Sequence, residues 1–236
     1  MTAKSAGVAR EARKETPSAI ATALRSELAE IPVSNVVTPS CRETLGQAFV
    51  EKLDAAGAAS ESRFGHRALV RGDLAAAQSA FCKAVLWDGK ALERRLNLAN
   101  LYLLRRDGTQ ALEAAERALE LDPKNRRALE LQADAWARLG NLAEARRAYV
   151  AAEQRPELHE DAARWLVRRD LDAAERSLSA RDYARAERLF LRVVVFEPEH
   201  EVAALGIATC LRKLDDHTGA EAWTRRAEAL AKRAGK

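Results

Sequence analysis

The residues with which this chain could do chemistry are few and widely spaced. Catalysis needs a nucleophile beside a base, paired carboxylates in one pocket, or a metal. The four histidines, His66, His159, His200 and His217, form no H-x-x-H, no H-E-x-x-H and no Cys/His ligand spacing. Such spacings are what bring two metal ligands onto one face of a helix. There is no glycine-rich phosphate loop. The densest polar cluster, Asp215-Asp216-His217, falls at a turn between helices, where capping accounts for it. The expectation is a protein that is not an enzyme, with no catalytic residues, no metal site and no cofactor. Cys41, Cys82 and Cys210 are odd in number and include no C-x-x-C. They read as unpaired, mostly buried thiols in a reducing compartment.

Charge and hydropathy narrow the partners. The formal net charge is +4 with 31% charged residues, so acidic and basic groups nearly balance. A nucleic-acid binder usually carries a basic stripe with aromatics interleaved. Here only the end, Arg225, Arg226, Lys232, Arg233 and Lys236, is locally basic, and Glu221 and Glu228 stand among it. Nucleic acid is therefore not the expected partner. The first residues, MTAKSAGVAREARKET, contain no apolar core of a secretory signal. No run of 18 apolar residues offers a membrane span. The expected location is cytoplasmic.

The elements that must carry these residues declare themselves through repetition. Alanine supplies about a fifth of the chain and aromatics only 5%, which suits helices in close approach rather than sheets. GDLAAAQSAF at 72–81 returns as RDGTQALEAA (106–115), GNLAEARRAY (140–149), RDYARAERLF (181–190) and DDHTGAEAWT (215–224). The spacing is 34 residues throughout, except for seven extra residues between 140 and 181. The second position is always Asp or Asn: Asp73, Asp107, Asn141, Asp182 and Asp216. Each ends a turn and is expected to cap the next helix. Ala77, Ala111, Ala145, Ala186 and Ala220 form a further column. Small residues, Gly65, Ala99, Ala133, Ala174 and Ala208, stand seven positions before each start. Phe81, Tyr149 and Phe190 form an aromatic column.

These columns resemble the tetratricopeptide repeat, whose pattern is W-x2-L-G-x2-Y, then A-x3-F, then P. The resemblance is carried by F64-G65, L98-A99-x2-Y102, A133-x2-W136, A77-x3-F81, A145-x3-Y149 and A186-x3-F190, and by the turns LELDP (119–123) and FEPEH (196–200). It implies an all-α fold, an α-solenoid of about five helix pairs with an N-terminal helical extension. The expected organisation is a disordered tail at 1–15, N-terminal helices and a linker at 16–57, and repeats at about 58–91, 92–125, 126–159, 167–200 and 201–236, with the insertion at 160–166. Within 16–57, Thr16-Pro17 opens a helix carrying Ile20, Leu24, Leu28 and Ile31. Ser40 with Glu43 opens a second helix carrying Leu45, Phe49 and Leu53, which Gly57 is expected to break. Trp165, in the insertion, reads as a core residue or else as an exposed anchor.

In this fold the first helix of each pair lines the concave face. The expected partner-binding residues are Arg63, His66, Asn97, Asn100, Arg127, Glu130, Asp134 and Arg138. Asn97 and Asn100 each offer a donor and an acceptor, which suits gripping a peptide backbone. Some members of the family hold acidic chaperone tails with a clamp of Lys, Asn, Asn, Lys and Arg. The corresponding positions here are Ser62, His66, Asn97, Arg127 and Leu131, where Asn97 matches and Arg127 substitutes. The resulting expectation is an adaptor or scaffold that binds a peptide segment or helix of another protein. The alternative is a dedicated chaperone for secreted proteins. Self-association into a homo-oligomer is left open.

Overall fold

The computed structural model describes residues 39–45, 55–153 and 160–234. The tail 1–15, the helix beginning at Thr16-Pro17, and Phe49, Leu53, Pro156 and His159 lie outside the described residues. Eleven helices are described, and no strand is found among these residues. A short helix, α1 (Cys41–Leu45), precedes five pairs. These are α2 (Ala55–Val70) with α3 (Leu74–Trp87), α4 (Leu92–Leu104) with α5 (Gly108–Leu119), α6 (Arg126–Arg138) with α7 (Leu142–Ala152), α8 (Glu160–Ser179) with α9 (Tyr183–Phe196), and α10 (Glu201–Lys213) with α11 (His217–Ala234).

The repeated dipeptide is the hinge of each pair. Its first residue, at 72, 106, 140, 181 and 215, adopts positive φ in every repeat, from 60° to 80°. Its second residue caps the next helix. The side chains of Asp73, Asp107, Asn141, Asp182 and Asp216 each accept a hydrogen bond from the backbone N–H three residues on, at 2.9–3.3 Å. The same residue's own N–H closes the preceding helix, as in Asp73 N to Ala68 O and Asp216 N to Leu211 O, both 2.9 Å. The left-handed residue thus ends one helix and the side-chain oxygen starts the next. Glycine takes this φ without strain at Gly72 and Gly140. Arg106, Arg181 and Asp215 take it at a cost of roughly 1–2 kcal/mol.

The core is alanine and the residues that alanine admits. Ala77, Ala99, Ala111, Ala133, Ala145, Ala174 and Ala186 are fully buried. Gly65 lies under the ring of Phe81, so close that a Cβ there would fall 2.6 Å from it. Gly206 meets Phe190 in the same way, at 2.5 Å. Gly57 does not break a helix. It sits inside α2 beneath the ring of Trp87, whose nearest atom would be 2.7 Å from a Cβ. The small residue serves close approach there, not termination.

One seam departs from simple stacking. The second helix of one pair packs on the first helix of the next at α3–α4, α5–α6 and α9–α10, whereas α7 and α8 do not pack closely. Instead α9 packs against α6 and α7. The insertion lengthens α8 to 20 residues, against 13 in α4, α6 and α10. Seven residues add nearly two whole turns, or roughly 10 Å. The packing face of α8 therefore stays almost in phase. Trp165 falls in that extension. It is 59% exposed, with the Arg169 guanidinium 5.1 Å from its ring centre, so it is not a core residue.

The cysteines also depart from the expected pattern. Cys41 and Cys82 form a disulfide that joins α1 to α3. Only Cys210 is a free thiol. Capping brings Cys41 into reach: Ser40 and Glu43 bond reciprocally, at 2.7 and 3.3 Å, and set α1. Gln78 of α3 then donates to Pro39 O and Thr44 Oγ1, at 2.5 and 3.0 Å.

Candidate functional site

The eight residues read as groove-lining fall into two groups. Arg63, His66 and Arg127 are exposed. His66 meets the Phe81 ring edge-on at 5.2 Å, and Arg127 pairs with Glu93 at 3.1 Å. Glu130 is half-buried and accepts from Arg126 at 3.0 Å. The other four are covered. Asn97, Asp134 and Arg138 are buried and Asn100 is half-buried.

What engages three of them is α9. Arg188 donates to Asn100 Oδ1 at 3.0 Å. Arg138 donates to Glu187 at 2.5 Å, and both side chains are almost wholly buried. Tyr149 donates its hydroxyl to Asp134, and Arg192 lies 3.7 Å from the same carboxylate and 4.7 Å from the Tyr149 ring. A second tie reaches across the molecule. Arg106, at the end of α4, donates to Asp216, the cap of α11, at 2.5 Å, with Glu187 3.9 Å away. The inward side chains of α4 and α6 are therefore met by the fourth helix pair of the same chain.

The electrostatics follow from that burial. Burial works against the charge on Arg138, but Glu187 and Asp134 outweigh it and hold the guanidinium above its ordinary range. Arg192 is likewise raised: Tyr149, Asp134 and Asp170 overcome the cost of burial. Burial, and then the neighbouring Asp134, pushes the Tyr149 hydroxyl well up, so it stays a donor. Burial also raises Asp170, against the pull of Arg192 and Arg169. The Cys210 thiol is pushed up to about 12, first by burial and then by Glu187. It is an inert packing group at neutral pH.

Two open spaces among the described residues bear on binding. A cavity of about 480 Å³ lies between α6, α8 and α9, lined by Arg126, Arg169, Arg176, Arg185, Arg188 and Arg192 together with Glu130, Asp134 and Asp170. A second, of about 390 Å³, lies over α3, α4 and α5 beside Ser40 and Cys41, with Val85, Leu98, Tyr102 and Ala114 among its walls. Among the described residues, no three His, Cys, Asp or Glu side chains are grouped to hold a metal, and no helix is long and apolar enough to cross a membrane. Two of the clamp positions are covered. Leu131 is buried in the core, and the Ser62 hydroxyl is buried with no hydrogen-bond partner.

Sequence reasoning did not identify the residues of α9. Their signal was a charged stripe, Arg185, Glu187, Arg188 and Arg192, along one helix.

The family model of the tetratricopeptide repeat matches residues 96–159 and 171–234, more than half of the chain. The chain belongs to the tetratricopeptide-repeat family. No curated protein matches it significantly. Among solved structures it is similar to MamA (16% identity over 77% of this chain and 96% of that one, TM-score 0.43). It is also similar to pilF of Pseudomonas aeruginosa (20% identity over 74% and 77%, TM-score 0.40). A third likeness is to PilW, a type IV pilus biogenesis factor (16% identity over 74% and 78%, TM-score 0.41).

Proposed function

We propose that this tetratricopeptide-repeat protein is a non-catalytic adaptor or scaffold that holds a peptide segment or helix of a partner protein on its inward face. The observation that carries the reading is α9 itself. The polar side chains of α4 and α6 are saturated by a helix laid against them, through Asn100, Asp134 and Arg138. The face is thus chemically suited to gripping a helix. Displacing α9 would break the buried Arg138–Glu187 pair and uncover the packing beneath it. A partner therefore engages the part of the face that α9 leaves exposed, around Arg63, His66 and Arg127. Five helix pairs favour an extended scaffold over the three-repeat secretion chaperone. The Cys41–Cys82 disulfide supports an oxidising compartment, and so weighs against the cytoplasmic location expected from the sequence.

The test is capture of partners from native lysate on wild-type protein and on Arg63→Ala/His66→Ala/Arg127→Ala. All three side chains are exposed, so the variant is expected to fold, as circular dichroism would verify. A partner held by wild type and lost by the folded variant supports the inward face. Equal retention by both proteins would sink the assignment.

A further inference from the structure

We infer that the cavity between α6, α8 and α9 is a binding site for an acidic peptide segment; this rests on the protein-binding reading above and names the ligand class at a second place on the molecule. The argument is one of charge left over. The three carboxylates of the cavity are already engaged. Glu130 accepts from Arg126, Asp170 from Arg169, and Arg192 stands between Asp134 and Asp170 at 3.7 and 3.6 Å. Arg176 and Arg185 have no carboxylate within ion-pair distance among the described residues, and Arg188 bonds only the neutral amide of Asn100. Three guanidinium groups therefore face a space of about 480 Å³ with their charge unanswered.

Rigidity and spacing set the ligand. The floor is fixed, because Asp170 is buried and the half-buried Arg192 pairs with it. The free arginines thus stand on a wall that does not have to be organised on binding. Arg185 to Arg192 covers seven residues of α9, roughly 10 Å of helix. An extended chain advances about 3.3 Å per residue, so three or four residues with two or more carboxylates span it. Guanidinium groups match carboxylates in a two-pronged geometry. A nucleic-acid strand fits less well. Among the described residues, no aromatic side chain lines the cavity to stack a base.

The test uses the full chain and fluorescence anisotropy with a labelled decaglutamate peptide at low salt. Saturable binding by wild type is expected, weakening as salt screens the contact. Arg176→Glu/Arg185→Glu, both on exposed side chains, is expected to bind about tenfold more weakly. The charge-matched control Arg212→Glu/Lys213→Glu, at the exposed end of α10, is expected to bind as wild type does. No binding by wild type, or equal loss in both variants, would overturn the proposal. Tighter binding of labelled decathymidylate, lost in the same cavity variant, would overturn it in favour of nucleic acid. Failure here leaves the adaptor reading standing, because that reading is tested through Arg63, His66 and Arg127, outside the cavity.

Discussion

The stack α2–α7 and the stack α8–α11 are built from the same repeat, yet they meet in a way the repeat does not dictate. Within each stack the pairs are held by alanine, a shared aromatic column and a left-handed turn followed by a cap. Between them charge pairs join the packing of Tyr149 on Phe196: Arg138 on Glu187, Arg106 on Asp216, Arg192 between Asp134 and Asp170. Apolar packing is non-directional and tolerates any neighbour of the right shape. A buried ion pair tolerates only its partner, since either charge left alone is heavily penalised. The difference teaches that a modular repeat can specify a unique long-range arrangement by placing a few charges at one seam.

The largest expected effect breaks that seam. Glu187→Ala removes the common partner of Arg138 and Arg106 and is expected to cost roughly 3–5 kcal/mol. Glu113→Ala, which breaks the exposed Arg117 pair within α5, is expected to cost at most about 1 kcal/mol. Urea unfolding compares the two. Similar small costs would mean that the seam does not join the stacks.

A middle-sized effect tests whether the stacks are packed alike. Gly65→Ala and Gly206→Ala each drive a methyl group into the ring of an equivalent phenylalanine, Phe81 or Phe190. Crowding of this kind costs roughly 1–3 kcal/mol and outweighs the usual helical gain from alanine of about 0.5–1 kcal/mol. Comparable losses of thermal midpoint are expected in both. A loss in one alone would show that the two stacks do not share a core.

The smallest effect sharpens the comparison at a single column. Arg181 and Arg106 occupy the same left-handed position, with φ of 60° and 64°. Arg181 is exposed and Arg106 is buried in its ion pairs. Arg181→Gly relieves backbone strain and is expected to stabilise by roughly 1 kcal/mol. Arg106→Gly relieves the same strain but removes the guanidinium that faces both Asp216 and Glu187, and is expected to destabilise. Opposite signs in chemical denaturation support the seam, and equal signs would count against it.

Much of this fold was legible in the sequence because its determinants are local. The Asp/Asn column could be read as caps since a cap needs only its own side chain and a backbone N–H three residues away. The residue before it was legible as a turn, though arginine at two of the five positions hid its left-handed conformation. The seven extra residues before 181 were visible as a count, and helix geometry then makes them two added turns of α8. The groove was legible as a face but not as a surface. Nothing local says that Asn100 is met by Arg188, 88 residues away, or Arg106 by Asp216, 110 residues away. The disulfide was hidden for the same reason. An odd count without C-x-x-C reads as free thiols until α1 is seen lying on α3.

What the sequence by itself determined is therefore the repeat: five helix pairs, their turns and caps, and the alanine and aromatic columns. These follow from interactions within about 34 residues, which periodicity records. Tertiary structure alone decided which inward side chains are covered, which arginines are left without a carboxylate, and which cysteines meet. Those outcomes depend on how α9 returns to α6 and α7. That return is set by pairing between buried charges far apart in the chain, which spacing along the sequence does not encode.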